Sequence, residues 1–437
     1  MSSAHISLVG ATLMNINLMV GASAFLAPAI MAHYAGPASF YGWLFAGVLF
    51  FPIVWCIAEI TRYFPGQGSF YSYSKTTLSR SAGFVSGWVY FLGYVSIGSL
   101  QLMSLMRILT LQLNWTWGAQ HALATAVLLI LGCAALSLSP LRLIDHIQST
   151  ATLYKLLPLI IGVASLLIYF SPANTPSIFS VSPQTLLPTI PMAIFGFWGF
   201  EGVCSITHLI KDSARNARHV IFTGFIATVI IYTLFHLSVL TLLGPVGLEQ
   251  QGAASFVSAF HLTSPLLQQL LNVLVISAII VAHINAIFGG IIANSAMLCA
   301  MAEEKLFFMS DFFSLRFTAT NRPLGATLMH VGGLIACVAL VGNVSALNAM
   351  ANIGVLLAFV LTIISLFRRA PKSVGSTIAC FLGLASCALL IFYSWQGIGS
   401  TTLERMHALI PFMIAIACGI ALHVAPACTS SSSCPRP

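Results

Sequence analysis

The chain has 437 residues, 58% of them hydrophobic and only 6% charged, against about 25% charged in an ordinary soluble domain. No water-soluble core hides that much apolar surface without leaving a large exposed patch, so composition excludes a soluble globular protein and leaves lipid as the solvent for the excess. The charges present are mainly basic, 17 Lys+Arg against 9 Asp+Glu, a balance that raises nucleic acid as a partner until their positions are read.

A helix crosses the hydrocarbon with roughly 20 apolar residues. Runs of that kind predict twelve spans, at 6–33, 39–61, 82–113, 119–139, 147–170, 184–210, 217–244, 265–302, 324–342, 345–367, 374–395 and 405–426. The expected fold class is therefore an all-α integral membrane protein. The first run is too long for the apolar stretch of a signal peptide and has no basic segment before it, so it reads as a retained first helix. Spans 82–113 and 265–302 exceed a bilayer thickness and are expected to tilt or to project beyond it. The longest polar stretches lie near 171–183 and 303–323, and the Ser-rich end Thr429–Pro437 is expected to be disordered.

The loops after even-numbered spans carry Arg62, Lys75, Arg80, Arg142, Lys211, Arg215, Arg218, Lys305, Arg316, Arg322, Arg368, Arg369 and Lys372, with Arg436 in the tail. The opposite side has only Arg405, while Arg107 and Lys155 fall inside spans. Positive loops mark the cytoplasm, which predicts both termini cytoplasmic in a cell membrane, and one missed span would scramble the asymmetry. The basic balance is thus topology, with no soluble basic fold for nucleic acid. Ten cysteines are scattered without a C-x-x-C pair, eight of them in apolar runs. They give no disulfide framework and no metal site, and no cofactor is expected.

Two spans read as interrupted. Span 1 contains Asn17-Leu18-Met19-Val20-Gly21-Ala22-Ser23-Ala24-Phe25-Leu26-Ala27-Pro28, and span 6 contains Phe195-Gly196-Phe197-Trp198-Gly199-Phe200-Glu201-Gly202. A small residue within a span also serves close helix packing. Breaks five spans apart lie in segments that run in opposite directions, and paired interruptions point to a binding site between inverted repeats. Unwinding frees backbone groups at the midplane, and these must find partners. A zwitterion supplies both kinds: its carboxylate suits N–H groups at a half-helix N-terminus, and its ammonium suits the carbonyls at a half-helix C-terminus.

At these residues the chain resembles the amino acid–polyamine–organocation family of permeases. In span 1 the Gly, Phe and Pro of the family's G-S-G-[IV]-F-x-x-P stand as Gly21, Phe25 and Pro28. In span 6, Phe197-Trp198-Gly199-Phe200-Glu201 followed by Lys211-Asp212-Ser213-Ala214-Arg215-Asn216 is similar to F-x-G-[FV]-E and the family's basic segment. Phe64-Pro65-Gly66-Gln67-Gly68-Ser69-Phe70-Tyr71-Ser72-Tyr73, then Gly83 and Gly87-Trp88, resemble the loop after its second helix and the start of its third. Met301-Ala302-Glu303-Glu304-Lys305-Leu306-Phe307 resembles the segment after its eighth, without the usual Asp-Gly and Pro.

The resemblance implies a leucine-transporter-like fold with helices 1 and 6 discontinuous. One five-helix repeat would occupy 1–170 and its inverted copy 184–368. Two further helices would fill 374–426, and 427–437 would be a short cytoplasmic tail. It also implies that a substrate carboxylate meets Gly21, Ala22, Ser23 and Ala24; the position of an assisting family Ser is Ala22 here, with Ser23 one residue on. The amine would meet carbonyls near Met19 and Val20, and near Phe195, Gly196, Trp198 and Gly199. Phe195 stands where the related arginine–agmatine antiporter places an aromatic gate, against the alternative of packing.

Lys155 resembles the fifth-helix lysine of sodium-independent members, whose ammonium takes the place of a sodium ion on the carbonyls of helix 1; snorkelling to the surface is the alternative. Glu201 is read either as a tie for the broken helix or as a proton sensor. Arg107 either snorkels outward or lines an outer vestibule. Tyr94, Gly98, His283 and Asn285 are candidates for the side-chain pocket, and the last two face either substrate or a neighbouring helix. The expected function is sodium-independent transport of a small amino acid or amine, with a neutral substrate preferred because the site has few charges. Antiport of polyamines or cationic amino acids, a transceptor or channel, and an intramembrane serine protease built on Gly21-Ala22-Ser23 are the alternatives. Oligomeric state is left open.

Overall fold

The computed structural model describes residues 7–429 apart from 22, 65–68, 114, 116–119, 171–180, 261 and 371–372, and leaves aside the side chains of 205–209, 213–214 and 424–429. Ala22, four residues of the second-loop motif, most of the 171–183 stretch, Lys372 and the tail beyond residue 429 lie outside the described residues.

The helices, in chain order, are α1 (Leu8–Met19), α2 (Ser23–Ala35), α3 (Tyr41–Ile60), α4 (Phe70–Thr77), α5 (Arg80–Leu113), α6 (Ala122–Ser137), α7 (Leu141–Tyr169), α8 (Pro183–Leu186), α9 (Ile190–Phe195), α10 (Ser213–Gln251), α11 (Pro265–Glu303), α12 (Ser310–Phe313), α13 (Leu324–Leu340), α14 (Val344–Arg369), α15 (Val374–Gln396) and α16 (Thr402–Thr429). Helix dominates because lipid offers no partner to a backbone N–H or C=O, and a helix pairs them within one segment. Among the described residues nine segments are long and apolar enough to cross a membrane: α3, α5, α7, Pro183–Cys204, α10, α11, α14, α15 and α16. The pair Leu8–Met19 and Ser23–Ala38, bent by 51°, passes the same test together. The apolar helices α6 and α13, expected as spans, are only 16 and 17 residues long. α6 stops at a turn before Pro140, and α13 starts after Pro323 and stops at the non-helical Val341.

The expected long runs appear as α5, with 34 residues, and α11, with 39, or about 50 and 60 Å at 1.5 Å per residue. α10 is interrupted at Gly244, whose φ of 68° is non-helical, just before Pro245. The 303–323 stretch, expected as loop, contains α12 and a two-stranded antiparallel ribbon, β1 (Arg316–Phe317) and β2 (Arg322–Pro323).

The core runs along α5, which packs on α14 and α11. At the α5–α14 crossing the backbones touch: a Cβ on Gly354 would lie 2.7 Å from the Val89 carbonyl. Such crossings suit a bilayer, where van der Waals approach rather than apolar burial drives association.

Several basic loops meet on one face. Lys75 pairs with Glu304 at 2.5 Å, and Tyr71 donates to the same carboxylate at 3.4 Å. Burial, with Glu304 beside it, pushes the Tyr71 hydroxyl up to about 12, so it stays a donor. Arg80 donates to the carbonyls of Glu304 and Lys305, Arg322 to that of Ser137, and Thr320 to that of Leu138. His423 of α16 bonds Leu306 O and Ser81 and stacks on Phe84 at 4.6 Å. Two of the sequence motifs, around Tyr71 and Glu304, thus touch each other. Gly87 leaves room for Met301, whose sulfur would sit 2.4 Å from a Cβ there.

Candidate functional site

α1 ends at Met19 because Val20 turns to an extended conformation (φ −69°, ψ 92°), and α2 restarts at Ser23. The end of a helix leaves its last carbonyls without intrahelical partners, and in lipid each must be covered. The Ile16 carbonyl takes the Val20 N–H at 2.8 Å. Of the next three, those of Asn17 and Met19 meet donors from other helices. Lys155 of α7, buried, donates its Nζ to Asn17 O at 3.0 Å. Gly199 lies over Leu18 O, which would be 2.4 Å from a Cβ on that glycine. Tyr232 of α10, also buried, donates its hydroxyl to Met19 O at 2.7 Å. The Ser23 hydroxyl is 3.4 Å from that same phenol oxygen. Beyond the break, no described group bonds the N–H of Ser23, Ala24 or Phe25. These are the first donors of α2, at the end whose macrodipole favours an anion.

The second interruption follows α9. Gly196 closes the helix with its N–H on Ala193 O at 3.0 Å, and Phe197 donates to Ile194 O at 3.0 Å. Gly199 has φ +109°, a conformation for which other residues pay strain. Its N–H goes to Glu201 Oε2 at 2.9 Å. The other Glu201 oxygen accepts from Tyr94 at 2.6 Å and Tyr90 at 3.2 Å, both on α5. Its two oxygens thus accept from three donors. Among the described residues Glu201 pairs with no cation. Trp198 turns outward to α14, its indole donating to Asn352 Oδ1 at 2.8 Å; Asn352 in turn donates to Pro191 O at 3.0 Å and to Ser394 of α15 at 3.2 Å.

The two interruptions therefore sit against each other. Gly199 lies against Leu18 and Met19, Tyr232 joins Met19 and Ser23 beside Gly196, Lys155 and Glu201 each hold one interruption, and Ala22 lies outside the described residues. Phe195 is buried at the end of α9. A Cβ on Gly196 would strike Trp43 at 2.5 Å and Tyr232 at 2.9 Å, so the site is tightly closed on that side. Tyr94 serves Glu201. Gly98 packs against Leu334 of α13. His283 is a tie between α11 and α5: its Nδ1 bonds Ile279 O at 2.8 Å, which only accepts, so its Nε2 accepts from Ser104 at 2.8 Å. Asn285 Oδ1 is buried and unpartnered among the described residues. Arg107 is exposed and lines a cavity of about 380 Å³ with Met106, Thr110, Leu111, Ala122 and Gln250.

Sequence reasoning missed Tyr232, Asn352 and Gln101. Gln101, on α5, places its amide nitrogen 3.8 Å from the Cβ position of Gly21, and its Oε1 is buried without a partner among the described residues. A lone amide seven residues after Tyr94, hence on nearly the same helix face, is the signal that was there to read.

The comparisons with known proteins fit this arrangement. A family model described as amino acid permease matches residues 6–422. The chain belongs to the amino acid permease family. Among its relatives, cationic amino acid transporter 3, mitochondrial, of Arabidopsis thaliana is 23% identical over 374 residues, 79% of this chain and 59% of the relative. L-asparagine permease of Escherichia coli is 23% identical over 303 residues, 65% of this chain and 58% of the relative. Gamma-aminobutyric acid permease of Bacillus subtilis is 21% identical over 314 residues, 67% and 64%. The matched region is less than two thirds of the length of each of these three. As a permease the protein is a multi-pass membrane transporter and not an enzyme, which sets aside the protease reading of Ser23.

Proposed function

We propose that this permease is a secondary transporter of a neutral amino acid, working by alternating access without sodium. The observation that carries the reading is the contact of the two interruptions: among the described residues no group bonds the N–H of Ser23, Ala24 or Phe25, and carbonyls at Asn17 and Met19 meet hydrogen-bond donors from other helices. The carboxylate of the substrate takes the α2 N-terminus, its ammonium takes Met19 O and the carbonyls near Gly196, and Gln101 contacts the substrate beside Gly21. Lys155 supplies at Asn17 O the positive charge a sodium ion would otherwise bring. Glu201 ties the second interruption to α5 and is not the coupling group.

In this reading the nine long spans, the bent pair and the two short apolar helices make twelve crossings. They form two inverted sets of five plus α15 and α16, with both termini in the cytoplasm of a cell membrane. The elements carrying the interruptions rock against α5 and α11. The asparagine and γ-aminobutyrate permeases among the relatives favour a substrate without net side-chain cation, while the Arabidopsis relative keeps cationic amino acids as the second reading.

The test is uptake of labelled amino acids by the purified protein in sodium-free liposomes. Neutral amino acids should exchange, and Ser23→Trp should stop exchange while leaving a folded, monodisperse protein. A strict sodium requirement, a preference for arginine or polyamines, or binding without flux would each overturn the corresponding part of the reading.

A further inference from the structure

On the face where the basic loops meet, a cavity of about 450 Å³ opens between the end of α3 and the start of α10, lined by Arg62, Arg215, Arg218, His219 and Phe222. Its walls hold more positive charge than the fold neutralises. Glu59, buried, takes Arg62 at 2.6 Å and Arg218 at 3.3 Å, so one carboxylate serves two guanidinium groups. Arg215 is exposed and pairs with no acid among the described residues.

Helix stability does not account for this. Arg215 and Arg218 occupy the first turns of α10, the end where the macrodipole favours anions and opposes cations. The entry turn is closed without either guanidinium: Asn216 donates its side-chain amide to Lys211 O at 2.6 Å, and the Arg215 and Asn216 N–H groups go to Asp212 O at 3.0 Å.

The remaining wall is aromatic and leads to exposed apolar side chains on α3. The Arg218 guanidinium lies 5.4 Å from the Phe222 ring centre and 5.9 Å from that of Trp55, within cation–π reach. Phe222 packs on Phe51 at 5.6 Å. Phe51 and Val48 are 41% and 72% exposed further along α3, toward the membrane interior. A cluster of guanidinium groups is therefore continuous with an exposed aromatic and aliphatic stripe. Guanidinium forks match phosphate oxygens, and basic pockets between spans are suited to anionic headgroups.

We propose that this cavity binds the phosphate headgroup of an anionic phospholipid, with Arg62 and Arg215 on the phosphate and an acyl chain along Phe222, Phe51 and Val48. The apolar stripe selects a lipid over free inorganic phosphate, for which it would be wasted. The proposal requires only that α3 and α10 face lipid, and it stands apart from the choice of transported substrate.

The test uses the full-length protein in nanodiscs of phosphatidylcholine carrying a small fraction of brominated lipid. Brominated phosphatidylglycerol should quench the Trp55 signal, taken as the difference between the protein and Trp55→Phe, more strongly than brominated phosphatidylcholine. Arg215→Glu should weaken that preference about tenfold, a change of about 1.4 kcal/mol, with circular dichroism and uptake unaltered. Arg215→Gln, which keeps size and removes charge, should show a smaller loss of the same sign and serves if the reversal misfolds. Equal quenching by the two lipids overturns the proposal. So does millimolar inorganic phosphate abolishing the preference, which would make the cavity a site for a free anion.

Discussion

At the first interruption, the carbonyls of Asn17 and Met19 are covered by side chains that α7 and α10 bring from elsewhere in the chain. At the second, the turn closes most of its own bonds, and the freed Gly199 N–H is taken by a carboxylate only two residues away. The difference teaches where movement is cheap. A carbonyl capped by a neighbouring helix can exchange that partner for a ligand when the helix shifts. A turn that caps itself keeps its shape, and Tyr90 and Tyr94 of α5 must release Glu201 before it can move against that helix.

The most severe way to break this contrast is Gly199→Ala. The new Cβ would enter the left-handed region and meet the Leu18 carbonyl, so a loss of at least about 3 kcal/mol is expected. It should show as a large fall in thermal midpoint and in folded yield. A variant as stable as the parent would mean that the two interruptions do not touch. Next comes Lys155→Met, which leaves Asn17 O uncovered. Charged hydrogen bonds of this kind contribute about 1.5–3 kcal/mol, so sodium-free uptake should fall about ten- to a hundredfold while the protein still folds. Unchanged uptake would falsify the ion-surrogate role.

Glu201→Gln tests the self-capped side. An amide cannot accept from Gly199, Tyr90 and Tyr94 together, so about 1–2 kcal/mol of stability should be lost. Combined with Tyr94→Phe, the two losses should be less than additive by about 1 kcal/mol; strict additivity would show that the carboxylate does not hold the turn to α5. The smallest effect, and one of opposite sign for binding, belongs to Tyr232→Phe. Removing the hydroxyl from Met19 O should cost about 1 kcal/mol of stability, yet it should lower KM roughly threefold, because the substrate ammonium no longer displaces a resident donor. A raised KM would mean that Tyr232 contacts the substrate instead.

Most of the long spans were legible because lipid tolerates so few sequences: an apolar run of 20 residues has little else to be. Lys155 and Glu201 were legible because a charge in such a run is costly enough to need a partner. The glycines at 21, 196 and 199 flagged the interruptions. Tyr232, Asn352 and Gln101 were not legible, since an uncharged polar residue is cheap in a span and its partner is distant; Tyr232 and Met19 are 213 positions apart. Nor did residue type say that His283 would turn to Ser104, that Gly98 would admit Leu334, or that 303–323 would fold into α12 and a ribbon. Those outcomes depend on which helix is next door.

The cluster around Tyr71, Lys75 and Glu304 has a consequence for biogenesis. Tyr71 and Glu304 are 233 positions apart, and Ser81 and His423 are 342 apart. At 5–20 residues per second, α4 and the start of α5 wait roughly ten to fifty seconds after leaving the ribosome before their acidic partner exists, and longer before α16 arrives to cover them. During that interval Lys75 lacks its counter-ion and the groove around Gly87 lacks Met301. A chain that stalls before residue 304 therefore leaves Tyr71 and Lys75 without the carboxylate that joins them in the finished fold.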